Sequence, residues 1–385
     1  MKIGILTFHF STNYGAVLQA YALCAAIKQQ GYAVEVIDYR PLDRMLMYAK
    51  LLFFDRKNWS SCFLDRSFSQ NMQKLVHFLH FMHACIPTSA HVCYTRSGLR
   101  KLATHYDMLI CGSDVIWRSH PNNTAKFDPS FFLDFVPAAH GYKMSYAASV
   151  GTTTHFGSNN QRICAWLGQF DAISVRDTHS LNVLAGECGI QAVKVVDPTL
   201  LVDCTAIARP IDYDREYLLV YAESVSSAEA QLITSVAATS NLDILWIGEY
   251  DSRGIARINH IEVSPAEYIG YVLQASFVCT DFFHGVIFSL IAQKPFVAFY
   301  REKKSYKIQD VLEHIDSGQR LLDVSTISQQ EAARIATAEM DYAHVAAQLA
   351  PLIHSSHDYL AHHLAVAEHR LQCSAKTTRT QRAQR

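Results

Sequence analysis

The sequence is poor in charge and carries no phosphate-binding fingerprint. Only 18 % of its 385 residues are Asp, Glu, Lys or Arg, and the formal net charge is −1 with His neutral. Such a balance gives no overall pull toward nucleic acid. Neither G-x-x-x-x-G-K-[ST] nor G-x-G-x-x-G occurs, which argues against P-loop and dinucleotide-binding readings. No apolar run reaches the roughly 18–20 residues that a membrane-spanning helix needs. The N-terminal "MKIGILTFHF" is too short and unflanked for a signal peptide and reads as a first strand. The ten cysteines include no C-x-x-C. Without a secretory signal they read as reduced small hydrophobes in a cytosolic protein, not as a disulfide framework. No histidine group has metal-ligand spacing: His77, His80 and His83 drift round a helix, and His354, His357, His362 and His363 fall in a polar helical stretch.

What is present is apolar and rhythmic. Half of the residues are hydrophobic, enough for large buried cores, and the length suggests two domains at roughly 150 residues each. "KIGILTF" is a buried strand, "NYGAVLQAYALCAAIKQQG" a helix stopped by Gly31, and "YAVEVIDYRP" a second strand ended by Pro41. Short apolar strands recur at 107–111, 142–149, 171–177 and 193–198 with helical segments between several of them, so the sheet is mostly parallel and covered on both faces. Pro198 and "RPIDYD" mark a boundary, after which "EYLLVYAES", "LDILWIG", "SFVCTD" and "PFVAFY" repeat the rhythm. The expected architecture is two α/β halves, 1–208 and 209–372, facing a cleft that is the default ligand site. Residues 42–105 are a helical, aromatic-rich insertion: a lid, an acceptor surface, a membrane-contacting face, or helices packed on their own domain. Residues 373–385, "CSAKTTRTQRAQR", read as a disordered basic tail.

Four strand ends carry candidate chemistry. In "TFHFSTNYGAVLQA", Gly15 and Ala16 open a helix whose N–H groups favour an anion, and Thr12 and Asn13 either cap it or bind a ligand. "LICGSDVIWR" places Ser113 and Asp114 after a strand, as an N-cap or as ligand contacts. Arg176 in "ISVRD" either pairs locally with Asp or grips a carboxylate or phosphate. In "VCTDFFHG", Thr280 and Asp281 are expected to cap a helix with His284 in its first turn, as a general acid beside a bound anion or as a satisfied half-buried residue.

Taken in order, "GILTFHFSTNYGAVLQAYAL", "DMLICGSDVIW", "FFLDF" with "YKMSYAASVG", "FDAISVRD", "VVDPTLL" and "TDFFHGVIFSLIAQKPFVAF" resemble the polysaccharide pyruvyl transferase family from the N-terminus to about residue 325. The resemblance implies a GT-B-like fold: two Rossmann-like domains facing a cleft, with a helical insertion in the first and a C-terminal helix. It implies transfer of the pyruvyl group of phosphoenolpyruvate to two hydroxyls of a surface glycan or its lipid-linked precursor, giving a ketal and phosphate. Phosphoenolpyruvate is then a co-substrate and no other cofactor or metal is expected. His284 matches the family's His-Gly motif as acid or phosphate contact. Arg176 matches the donor-gripping arginine, with Thr280, Asp281, Gly285, Lys294 and Arg301 on the donor side. Asn13, Tyr14, Gly15, Gly112, Ser113 and Asp114 fall on motifs that line the cleft. The expected setting is the cytoplasm or the inner face of a membrane, with self-association left open.

Where family members commonly carry Arg before the His-Gly pair, this chain has Phe282. A phenylalanine cannot hold a carboxylate, so Lys294, Arg301, Lys303 or Lys307 takes that place, or the donor differs. Val115 and Arg118 also depart from the family's G-S-D-Q-x-W-N pattern. Two other readings stand beside the first: a GT-B glycosyltransferase using a nucleotide sugar, and a catalytically silent binding protein in glycan assembly.

Overall fold

The computed structural model describes residues 1–42, 45, 66–119, 127–137, 141–302 and 305–383. In the first half, β1 (Lys2–Leu6), β2 (Ala33–Val36), β3 (Met108–Cys111) and β4 (Tyr142–Ser145) form a parallel sheet ordered β2-β1-β3-β4. These strands are buried over most of their length because both faces are covered. The short pair β5 (Ser174–Val175) and β6 (Val193–Lys194) extends this layer through bridges from Met144 to Ala172 and from Ala148 to Val175. Helix α1 (Tyr14–Gln29) starts where the Asn13 side chain accepts from the Ala16 N–H, and the chain turns away at Gly31 with φ +86°. Helices α2 (Arg66–Cys85), α3 (Arg96–Ala103), α4 (Asn160–Leu167) and α5 (Thr178–Cys188) complete this half.

The second half contains β7 (Tyr217–Tyr221), α6 (Ser227–Thr239), β8 (Asp243–Ile247), β9 (Ile258–His260), α7 (Pro265–Gln274) and β10 (Phe277–Thr280). They are followed by α8 (Phe283–Ile291), β11 (Phe296–Phe299), α9 (Tyr306–His314), β12 (Leu321–Leu322) and α10 (Gln329–Thr337). Its six parallel strands run β12-β11-β10-β7-β8-β9, the order of a doubly wound nucleotide-binding fold. Capping boxes at Ser226–Glu229 and Ser264–Glu267 fix the starts of α6 and α7.

Several contacts tie the halves together. The Tyr14 ring, fully buried, stacks on Tyr268 at 4.5 Å between centroids and donates its hydroxyl to the Val263 carbonyl at 2.9 Å. From α2, Lys74 donates to the Gly248 carbonyl at 2.5 Å, and His77 Nδ1 lies 2.5 Å from the Glu262 carbonyl oxygen. The described part of the insertion therefore clasps the opposite half and does not pack only on its own. Its first helical stretch, from 46 to 65, lies outside the described residues.

Helix α11 (Tyr342–Ala383) leaves the second half and returns to the first, where Ser356 accepts from the Val196 N–H and Arg370 pairs with Asp171 at 2.8 Å. The expected disordered tail is thus corrected: the helix runs on through residues 373–383. A second correction concerns cysteine. Cys164 and Cys188, on facing positions of α4 and α5 with Cα atoms 5.1 Å apart, form a disulfide, a pairing invisible in their separation of 24 residues. Among the described residues no helix is long and apolar enough to cross a membrane.

Candidate active site

A cavity of about 230 Å³ opens between the two sheets. Its walls come from the carboxyl ends of four strands: Phe8 after β1, Asp114 after β3, Tyr221 at the end of β7 and Phe282 after β10. In each sheet these are the two neighbouring strands at which the order reverses. Open α/β sheets bind ligands at such points, because the flanking connections part there and leave a crevice. Both crevices here face the same cavity.

His284 forms part of its wall. It sits in the first turn of α8, only 6 % exposed, and lines the cavity. A Cβ on Gly15 would overlap the imidazole at Nδ1, so α1 approaches this closely only because residue 15 is glycine. On the other side Nε2 is enclosed, 3.4 Å from Asp197 Oδ2, without hydrogen-bond alignment. The Tyr268 hydroxyl donates to the His284 carbonyl at 3.2 Å and so steadies the backbone.

Asp197 links the site's charges. Its Oδ1 accepts from the Thr199 N–H and hydroxyl at 3.1 and 2.8 Å, and its Oδ2 takes Arg176 Nη1 at 2.6 Å. Burial alone would push this carboxyl up, but His284 and Arg176 hold it well below the usual carboxylate range. Arg176 is buried too. Its Nη2 lies 3.6 Å from Asp114, and neither Nη2 nor Nε makes a hydrogen bond. Burial likewise opposes ionisation of Asp114, yet Arg176, Lys307 and His284 lower its carboxyl below the ordinary value. Asp114 has φ +82°, a sparsely populated conformation for a residue with a side chain, and it carries its carboxylate on the cavity wall.

The Phe283 ring has Arg176 at 4.6 Å and Lys307 at 5.3 Å from its centroid, so one aromatic carries two cations. Burial and the nearby Arg176 pull the Lys307 ammonium down to about 8. Neither α8, with Phe282 at its N-cap, nor α9, with Ser305 there, has a side-chain cap. Both helices carry a cavity-lining residue in the first turn, His284 on α8 and Lys307 on α9, where the helix dipole favours an anion.

Several sequence expectations change here. Asn13, Asp114 and His284 line the cavity. Tyr14 does not, being consumed in packing between the halves. Gly112 and Ser113 lie beneath the floor: the Gly112 N–H donates to the Leu6 carbonyl, the Ser113 hydroxyl donates to the Ala147 carbonyl, and the Ser113 N–H donates to Gln19 Oε1. Thr280 and Asp281 do not cap α8. The Thr280 hydroxyl donates to the Tyr221 carbonyl, and Asp281 accepts from the Glu223 N–H and from Arg301. Gly285 is a packing position, where a Cβ would meet Thr280 Oγ1. Lys294 precedes β11 and so lies at the amino end of the sheet, opposite the cavity. Arg301 is bound by Glu229 and Asp281. Lys303 lies outside the described residues. Among the described residues, the cation that lines the cavity is Lys307. Asp197 had no role assigned from sequence, although its place in "VVDPTLL", just past a strand end, was the available signal. Among the described residues no group of three or more His, Cys, Asp or Glu is placed to hold a metal ion.

The fold has solved counterparts. A glycosyltransferase of kitacinnamycin superposes with a TM-score of 0.52 at 10 % identity, covering 95 % of this chain and 98 % of that one. The Thermobaculum terrenum O-GlcNAc transferase gives 0.46 at 13 % identity over 98 % of this chain and 68 % of its own, and the E. coli heptosyltransferase WaaC with ADP gives 0.42 at 12 % over 87 % and 98 %. The first of these supports a GT-B architecture, matching two parallel sheets that face a shared cavity. No curated protein matches the sequence. The polysaccharide pyruvyl transferase family model matches residues 13–303, from the cap of α1 through the His-Gly turn to the loop after β11, and the chain belongs to that family.

Proposed function

We propose that this transferase moves the pyruvyl group of phosphoenolpyruvate onto two hydroxyls of a surface glycan or its lipid-linked precursor. The observation that carries the reading is a set of unused donors around one small cavity. Arg176 Nε and Nη2 are buried without hydrogen bonds behind the wall residues Asp114 and Phe283, beside two helices whose N-cap residues, Phe282 and Ser305, make no side-chain cap. Lys307 adds an ammonium to the wall. Such a cluster suits a small dianion, since each donor gains a partner when the ligand binds.

The chemistry follows from those positions. Protonation of the methylene carbon by His284 makes a methyl group and leaves an oxocarbenium-like centre at the neighbouring carbon. One sugar hydroxyl adds there and gives up its proton. The second hydroxyl then displaces phosphate, which leaves with that hydroxyl's proton as the ketal closes. Lys307, Arg176 and the N-termini of α8 and α9 hold the carboxylate and phosphate, and the ionised Asp114 orients the incoming hydroxyl. With Phe282 stacked on Tyr221 at 4.4 Å, the place of the usual arginine is an apolar wall, and Lys307 supplies the missing charge.

The test is phosphate release from phosphoenolpyruvate by the full chain, with glycan extracted from a host strain lacking this gene as acceptor. Mass spectrometry of that glycan should show a pyruvyl increment. Nucleotide-sugar consumption with phosphoenolpyruvate untouched would overturn the reading.

A further inference from the structure

The geometry points to Asp197 as a positioning residue that holds the proton of His284 on Nε2 and leaves Nδ1 as the atom that exchanges a proton with the ligand. This rests on the reading of His284 as the acid, but its structural half stands apart from any substrate. Nε2 is enclosed and lies 3.4 Å from Asp197 Oδ2, so the ring nitrogen on that side is the one a carboxylate keeps protonated. Nδ1, on the Gly15 side of a ring that lines the cavity, is the nitrogen left to reach a ligand.

Asp197 is fitted to this task because it cannot turn. Thr199 holds Oδ1 through both its N–H and its hydroxyl, and Arg176 holds Oδ2. The charged groups around the imidazole are Asp197 from the segment after β6, Arg176 after β5, Asp114 after β3 and Lys307 from α9. Asp197 is the one that reaches Nε2. When Nδ1–H protonates the methylene carbon, the ring keeps Nε2–H and becomes the neutral tautomer that faces the carboxylate. Nδ1 then has a lone pair to take the proton that the attacking hydroxyl releases, so the ring returns to its starting form and the protons balance.

Nitrogen-15 NMR of the full chain labelled in histidine tests this, with His284→Gln to assign the signal. The neutral ring in the wild type is expected as the Nε2–H tautomer; a predominantly Nδ1–H ring overturns the proposal, whether or not the protein turns over phosphoenolpyruvate. Asp197→Asn removes the negative charge that keeps the proton on Nε2. The tautomer should reverse and kcat should fall about 100-fold with little rise in KM. An Asp197→Asn enzyme with undiminished kcat overturns the proposal. Thr199→Val, which removes one bond to Asp197 and no charge, should lower kcat less and in the same direction. Absence of turnover in the wild type with extracted glycan would instead defeat the functional reading, leaving the tautomer to decide this one.

Discussion

Two arginines in this fold look alike in sequence and differ in what the structure asks of them. Arg176 follows β5 and Arg301 follows β11, each at a strand's carboxyl end between two carboxylates. Arg301 is saturated: Nε reaches Asp281, Nη1 reaches Glu229 and the Tyr300 carbonyl, and Nη2 reaches Glu229 and the Ser224 carbonyl. Arg176 uses Nη1 on Asp197 and leaves Nε and Nη2 without hydrogen bonds, though it is the more deeply buried. Buried donors left unused cost stability, so the difference marks one cluster as a structural clamp and the other as a site that a ligand completes.

Lysine substitution separates them most sharply. Arg176→Lys keeps the charge but loses the forked donors, and kcat/KM for phosphoenolpyruvate should fall about 1,000-fold. Arg301→Lys should cost only about threefold, since it touches no ligand. Equal losses in a steady-state phosphate assay would break the comparison. A matched pair of glycines extends it. Gly15→Ala drives a Cβ into the His284 ring, and displacing the acid should lower kcat about 100-fold. Gly285→Ala drives a Cβ into Thr280, so it should appear first as a lower Tm.

Stability tests the comparison from the other side. Arg301→Met strands the buried carboxylates of Glu229 and Asp281, and about 2 kcal/mol should be lost in urea unfolding. That variant, if as stable as the wild type, would show that the saturated cluster is not a clamp.

How much of this was legible beforehand depends on range. The strands at 2–6, 108–111, 217–221 and 277–280 announced themselves as continuous apolar runs, and Asn13 and Gly31 bounded α1 through purely local chemistry. β9 is three half-buried residues, "INH", and β12 only two, so neither gives a pattern to read. "TDFFHG" misled because Thr and Asp before a helix imitate a cap. Here Tyr221, 59 residues away, takes the Thr280 hydroxyl, and Arg301 takes Asp281. The fate of each candidate cation was equally non-local. Lys294 and Arg301 flank one strand, but only its carboxyl end faces the cavity, and Glu229, 72 residues earlier, occupies Arg301. His284 was legible from its turn. Asp197, which meets it across the boundary between the halves, was not.

A pH-dependent effect concerns Lys307, the cation closest in role to Arg176 but able to lose its charge. An exposed lysine titrates near 10.4, whereas burial and Arg176 bring this one down to about 8 in the folded chain. Between those values the unfolded state binds more protons, so this residue makes stability rise with pH over that window. Donor binding should move the opposite way. The neutral amine no longer attracts an anion, and KM for phosphoenolpyruvate should climb up to tenfold per pH unit above about 8. Lys307→Arg keeps its charge throughout that range, so the variant should lose the break in KM while remaining active. A break that persists in Lys307→Arg would assign it to another group and return the donor's charge to Arg176 alone.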